Sequence, residues 1–429
     1  MRVIFWISVG FVLYAYAGYP LVLIALGSLK QVKSDLRFGL ARRSRRASRH
    51  VAGWPRVSIV FAAHNEEAVI AQKMLNCADL DYPAESLEIL VGCDGCTDAT
   101  AALARAAALP TASVYEFPDR RGKPAVLNRL LPRARGEIVV FSDANTEFEP
   151  DAIHALVRHF KRAEIGCVCG ELRLRSRGGQ ATGEQIYWRL ETLLKFLESR
   201  LNMLVGANGA VFAIRRSLFA PIPADGIVED FLIAMNVRAA GHRVVYEPEA
   251  IAWEEVAPNV RQEFRRRVRI GAGNFHALRH TWRMLKPTAG AVALAFWSHK
   301  VCRWLVPLFL AAAQISAAVL AREPLYGVAA AIGGVLVLLA VLGHRLDLRA
   351  RYWAPASIPY YFLSMNLALL LGLIAFGRGS QSIVWTPTAR MGPSPPGERR
   401  TAAAPPTAAH VAPAQRGASS VTTRAAEVL

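Results

Sequence analysis

The stretch VSIVFAAHNEEAVIAQKMLNCADLDYPAESLEILVGCDGCTD, Val57 to Asp98, decides the fold. It opens with Val57–Ala62, a short apolar run rich in β-formers. A polar turn follows, then a helical pattern from Glu66 to Leu80, a second strand pattern at Leu87–Gly92 and a turn at Cys93–Asp98. An Ala-rich helical pattern runs on through Ala108, and Ser113–Phe117 and Ile138–Ser142 repeat the strand signal. Strands alternating with helices predict an α/β fold with a mainly parallel sheet. In such sheets ligands collect beyond the carboxyl ends of the strands, which is where the polar residues of this stretch fall.

Outward from this core the text becomes apolar. The chain has 429 residues, 53% of them apolar and 20% charged, with a mean hydropathy of +0.24. Four uncharged runs, Val3–Leu29, Trp304–Ala321, Pro324–Gly343 and Tyr352–Gly377, are each long enough to be candidate bilayer-spanning helices. That excludes an ordinary soluble enzyme. The net charge is +18, and much of it sits between Lys30 and Arg56, where nine basic residues face one acid. Basic residues directly after an apolar span predict a cytosolic side and contact with anionic lipid, rather than nucleic acid. The Cys93/Cys96 and Cys167/Cys169 pairs read as buried cytosolic thiols, with a metal-thiolate site the weaker reading.

These features divide the chain into an N-terminal transmembrane helix (1–29), a basic juxtamembrane linker (30–55) and a cytosolic domain (56–287). An interfacial helix (288–300), three transmembrane helices (301–377) and a tail from 378, disordered beyond about 391, complete it. Gly183–Val205 has the apolar spacing of an amphipathic helix.

Several motifs carry possible chemistry. Asn65 is placed to cap the first helix, and Asp98 the second. Asp94, at a strand end, can accept a hydrogen bond from a nucleoside. The basic loop Asp119–Pro124 precedes a helix and suits a phosphate, although a solvated turn reads the same. Asp143 and Asn145 in SDAN are oxygen ligands two apart, suited to Mg²⁺ or Mn²⁺ beside substrate phosphates, or simply to a turn. Glu229-Asp230, in an apolar setting, is either a helix-start pair or a general base with a raised pKa. The guanidinium groups of Arg265–Arg269 match either a diphosphate or a membrane surface.

Taken in order, AAHNEE, CDGCTD, RRGKPAVLN, SDAN, GANGAVFAIRR, GIVEDF and RRRVR resemble a membrane-bound family 2 glycosyltransferase of the cellulose- and hyaluronan-synthase-like branch. The likeness covers about Val57 to Arg269 and the flanking spans. It implies a glycosyltransferase-A-like domain in the inner membrane, with its catalytic part cytosolic. Ala62, His64, Glu66 and Asp94 match the nucleoside-binding positions, and Lys123 and Asn128 match the basic loop near the donor. Asp143 matches the metal-bearing aspartate, with Asn145 where the family has a second acid. Asp230 matches the catalytic base, beside Glu229. Arg266, Arg267, Val268, Arg269 and Ile270 fall where processive enzymes have Q(Q/R)xRW, so Arg266 and Ile270 depart from that pattern. The resemblance thus implies inverting transfer from a nucleotide sugar, UDP-linked in the favoured reading, to a polysaccharide or lipid-linked acceptor. A processive synthase that secretes its own polymer is the alternative. A transporter or scaffold with a decayed domain is the non-enzymatic competitor, weighed against by the lack of acidic and basic residues in the four runs.

Overall fold

The computed structural model describes residues 1–41, 53–175, 182–255, 260–346 and 354–379. The arginines at 42, 43, 45 and 46 and the tail expected to be disordered lie outside these residues.

Eight strands form one sheet: β1 (Val57–Ala63), β2 (Leu87–Asp94), β3 (Ala112–Phe117), β4 (Ile138–Ser142), β5 (Thr146–Phe148), β6 (Ile165–Arg175), β7 (Val211–Arg215) and β8 (Arg243–Glu255). Their order is β3-β2-β1-β4-β7-β6-β8-β5. The four strands read from the sequence are parallel neighbours. Beyond β4 the sheet changes character: β7 is antiparallel to both β4 and β6, β6 and β8 are parallel, and β5 is antiparallel to β8. The sheet is therefore mixed, though largely parallel.

Alternation along the strands builds a core on each face. Val60, Ala62 and Leu90 pack with Val126, Leu127, Phe212 and Leu232. Ile59, Phe61, Ile89 and Val91 pack on the other face with Ile70, Met74 and Ile153. Central strands buried on both faces are near-continuously apolar, which is why β1 is apolar at every position but Ser58, whose buried hydroxyl accepts from the Gly136 amide at 2.8 Å. The first face also takes in Tyr19, Leu23, Leu194, Leu197 and Trp304, so the apolar helices join the sheet through a shared core.

Among the described residues, four helical segments are long and apolar enough to cross a membrane: Arg2–Leu36, Ala291–Val319, Pro324–Arg345 and Pro355–Gly377. Two boundaries differ from the sequence reading. The first helix does not end at residue 29 but continues to Ala41, taking in part of the basic linker. Residues expected as a separate interfacial helix run through a π turn at Phe296–Val301 into the helix Cys302–Val319. That span therefore contains Lys300 and Arg303, contrary to the expectation of spans free of charge. The two cations persist there because the buried Glu191 partners both.

Candidate active site

The carboxyl ends of β1, β2 and β4 lie on one edge of the sheet, so His64, Asp94 and Asp143 follow from three neighbouring strands. Ala62 is buried in β1. The His64 ring is also buried, with Nδ1 2.6 Å from the Asp94 carbonyl oxygen. Glu66, half-buried, is the residue that precedes the helix Glu67–Ala78. Asn65 does not cap that helix by its side chain. It adopts a left-handed φ of 51° and ties two turns together: its Nδ2 donates to Thr97 Oγ1 (3.0 Å), and the Thr97 amide donates to its Oδ1 (2.9 Å). Asp98 serves both turns, accepting from the Thr100 amide (3.0 Å) and the Glu67 amide (3.2 Å).

Asp94 is fully buried, and its carboxylate is engaged by backbone. The Arg121 amide donates to Oδ1 at 2.9 Å and the Gly122 amide to Oδ2 at 2.8 Å. Those contacts hold the basic loop against the strand end. Gly122, at φ +89°, turns the chain into the helix Lys123–Leu130, a backbone conformation that favours glycine.

Lys123 begins that helix and sits at the centre of the cluster. Its Nζ is 2.5 Å from Asp143 Oδ1 and 2.6 Å from Glu229 Oε1. Burial works against the ammonium charge, but the two carboxylates outweigh it and raise the lysine pKa. Asp143, Lys123 and Glu229 come from separate parts of the chain, and one cation joins them. Asp230 follows Glu229 in the first turn of the helix Glu229–Ala239, where acids suit the helix dipole. Its Oδ1 accepts from the Phe231 amide (2.8 Å), and its Oδ2 faces Gly209, where a side-chain carbon added to the glycine would lie 3.4 Å away. Burial and the adjacent Glu229 charge push the Asp230 pKa up to about 6, with Lys123 pulling the other way.

The remaining residues named from the sequence divide. Arg269 is within electrostatic reach of Glu229, Asp143 and Arg266, and burial lowers its pKa. Arg266 lies 3.6 Å from Glu254 Oε1 and 3.7 Å from Glu263 Oε2, on the edge of the same cluster. Arg267 points elsewhere: its Nε is 2.7 Å from Glu263, and its guanidinium lies over the rings of Tyr361 and Tyr187 at 5.4 and 6.0 Å. Neighbouring residues on a helix diverge by about 100°, so although both arginines reach Glu263, Arg266 also meets Glu254 while Arg267 turns to the two tyrosine rings. Asn128 also does not reach the cluster. Its side chain donates to the Ile222 carbonyl and accepts from the Ile222 amide, both at 2.8 Å, so it clamps the loop before Glu229.

Asn145 donates from Nδ2 to Glu254 Oε1 at 2.9 Å, which leaves its amide oxygen as the only side-chain atom able to ligate. Among the described residues no group of three or more His, Cys, Asp or Glu side chains converges as a metal site. Asp143 nonetheless fits a divalent ion, because Mg²⁺ commonly takes one or two carboxylates and completes its shell with water and substrate phosphate.

Sequence reasoning misses Lys73. It is buried behind the SDAN turn, with Nζ donating to Ser142 Oγ (2.8 Å) and the Thr146 carbonyl (2.7 Å), and it lies 4.2 Å from the Phe148 ring centre. A signal is present: Lys73 falls in the buried stripe of Ile70, Met74 and Cys77. Lys195 is missed too; it is buried and donates to Asn208 Oδ1 at 2.7 Å, bracing the loop that carries Gly209.

Sheet and carboxylate edge together define a glycosyltransferase-A type of fold. The chain belongs to glycosyltransferase family 2: the family described as "Glycosyltransferase like family 2" matches residues 55–273, just over half of it. It is 27% identical over 241 residues to the probable glycosyltransferase YdaM of Bacillus subtilis, covering 51% of this chain and 55% of that protein. It is 25% identical over 248 residues to the poly-beta-1,6-N-acetyl-D-glucosamine synthase of Staphylococcus epidermidis, covering 54% and 57%. The chain thus spans a little over half the length of these curated relatives. The mannosyltransferase PcManGT from Pyrobaculum calidifontis, solved with GDP-Man and Mn²⁺, matches with a TM-score of 0.60 at 23% identity. That likeness covers 86% of this chain and 99% of that one, and it concerns the fold.

Proposed function

We propose that this chain is a multi-pass membrane glycosyltransferase that moves a hexose, with inversion, from a nucleotide sugar to a growing glycan. The donor is UDP-linked in this reading and the catalytic domain faces the cytosol, on the side of the basic linker. The observation that carries it is the junction at Lys123, where Asp143 and Glu229 meet beside Asp230. Asp230 takes the proton of the acceptor hydroxyl as its oxygen bonds to the anomeric carbon and the bond to the diphosphate breaks. Lys123 and Arg269 attract the negative charge that develops on the departing diphosphate. Asp143, with the Asn145 oxygen, would hold Mg²⁺ or Mn²⁺, which when bound neutralises diphosphate charge. His64, Glu66 and Ala62 border the nucleoside end. Asp94 serves it indirectly, by holding the Arg121–Gly122 loop.

The poly-beta-1,6-N-acetyl-D-glucosamine synthases among the relatives favour polymerisation over single transfer to a lipid-linked acceptor. Single transfer retains one specific support: Arg266 leans on Glu254, and Ile270 stands where processive enzymes carry tryptophan. The test is a donor screen on the full chain in detergent, measuring nucleoside diphosphate release for each nucleotide sugar, with product size analysis. Polymer from a UDP-sugar is expected. No release from any donor would contradict the enzyme reading, and a product extended by one sugar would contradict polymerisation.

A further inference from the structure

The turn that carries Asp94 is flanked by two cysteines, and the functional reading has no use for either. Cys93 is buried near the end of β2, paired in register with Ala63 of β1. Gly95, at φ +59°, reverses the chain, so Cys96 returns to the same strand ends. Cys93, Cys96 and Ala63 pack in the same core cluster, so both side chains lie on one face of the strand ends. Cys96 Sγ also donates to the Ala63 carbonyl at 3.5 Å, and it is only half-buried. Between them, Asp94 holds the Arg121 and Gly122 amides with its carboxylate and the His64 ring with its carbonyl.

We propose that Cys93 and Cys96 are a thiol pair open to oxidation by low-molecular-weight disulfides, and that closing their disulfide loosens the Asp94 clamp on the basic loop. The chemistry of the pair is asymmetric. The neighbouring Cys93 thiol lowers the Cys96 pKa to about 7, whereas Cys77, Cys93, Cys167 and Cys169 are all shifted upward. A thiolate is the attacking form, and Cys96 is the accessible member. Its sulfur attacks one sulfur of RSSR, forming a Cys96–S–S–R mixed disulfide and releasing RS⁻, which takes up a proton. Cys93 then gives up its proton, attacks the Cys96 sulfur and expels the second RS⁻. Overall two protein thiols lose two protons and two electrons, and RSSR takes them up to become two RSH.

The link to the loop follows from the lost donor. A disulfide has no S–H, so the Cys96 bond to the Ala63 carbonyl must break, and the backbone on both sides of Asp94 is tied together. Arg120 packs directly on Gly95, where an added side-chain carbon would lie 3.0 Å from the Arg120 amide nitrogen, so the loop cannot ignore a change in the turn.

The experiment treats the full chain in detergent with oxidised glutathione, maps cysteines by peptide mass spectrometry and follows hydrogen exchange of the peptide containing Arg121 and Gly122. We expect a 93–96 disulfide, reversed by dithiothreitol, and exchange faster by about fivefold, the worth of one weakened hydrogen bond. Cys93→Ser should stop at the glutathione adduct on Cys96, and Cys96→Ser should form neither product. Failure to form the disulfide, or unchanged exchange after it forms, overturns the proposal. UDP affinity, measured in parallel, should weaken by a similar factor, and this arm rests on the functional reading. Faster exchange in a protein that binds no UDP in either state would support the thiol proposal and contradict the donor assignment.

Discussion

Two clusters of charge lie on elements that share one core, and both pair basic side chains with carboxylates. One is the Lys123, Asp143, Glu229 and Asp230 group at the strand ends. The other joins the helix Thr182–Leu201 to two apolar helices. There, Tyr19 donates to Glu198 Oε1 (2.8 Å), and His299 Nδ1 lies 2.8 Å from the same oxygen. Arg303 pairs with Glu191 while lying over the rings of Tyr187 and Tyr16, and Lys300 is 4.0 Å from Glu191. The difference is access. His299 and Glu198 side chains are 1% and 0% exposed, against 17% for Lys123 and 30% for Asp143. At the membrane junction His299, Glu198, Glu191 and Arg303 are sealed in, with Lys300 half-buried at their edge, and Arg303 holds Glu191 well below the usual carboxylate range despite its burial. At the strand ends Asp143 and Lys123 remain reachable, so a diphosphate or cation can replace one partner with another. A sealed cluster holds parts together, and an accessible one can take part in a reaction.

This contrast makes different demands on substitutions. Asp230→Asn keeps the shape and removes the base, so turnover should fall by about 100- to 10,000-fold while donor affinity changes little. Turnover beside calorimetric donor binding checks it; retention of more than about a tenth of the activity would pass the role to Glu229. Arg303→Met takes from Glu191 its closest cation and leaves it Lys300 at 4.0 Å and His299 at 3.4 Å; breaking a buried pair costs about 3–5 kcal/mol, and the loss here should lie toward the lower end. Thermal unfolding in detergent should show that loss, and a variant as stable as the parent would mean that the junction is not a fastening. Lys123→Met leaves two carboxylates facing each other; donor binding should weaken by about 10- to 100-fold, from the loss of hydrogen bonds between charged groups. The smallest effect is expected at Asn128→Ala, where two hydrogen bonds to Ile222 are lost. Stability should fall by about 1–3 kcal/mol, with donor affinity in the surviving folded protein unchanged. A selective loss of donor binding would return Asn128 to the donor site.

The half of the sheet from β1 to β4 was legible because each strand and its turn are local in sequence. His64, Asp94 and Asp143 could be placed at strand ends from hydrophobic runs alone. The other half was not. β6 and β8 pair although the helix Thr182–Leu201, β7 and the helix Glu229–Ala239 intervene, and β7 reverses direction beside β4, which no local periodicity announces. The same limit applied to the site. Motif order pointed to Lys123 and Glu229, but nothing in a charged turn says that its lysine will meet a carboxylate from a distant helix. Asn128 and Arg267 were drawn to the donor by their positions in a motif, whereas their side chains face Ile222 and Glu263. The charged start of the second span escaped notice because Lys300 and Arg303 interrupt the apolar run before Trp304, and their pairing depends on Glu191, far away in the chain.

The central claim is that the strand-end cluster is a reaction centre with Asp230 as its base. The pH dependence of kcat/KM for the native enzyme tests it most directly, because that quantity reports ionisations of the free enzyme. Asp230 acts only when ionised, so transfer should be sustained above about pH 6 and fall about tenfold per unit below it. Lys123 lowers the Asp230 pKa, so in Lys123→Met the same limb should move to higher pH. An acid limb near 6 that shifts upward in this variant is the result the account requires. A profile flat down to about pH 5, or a limb unmoved by Lys123→Met, would contradict it.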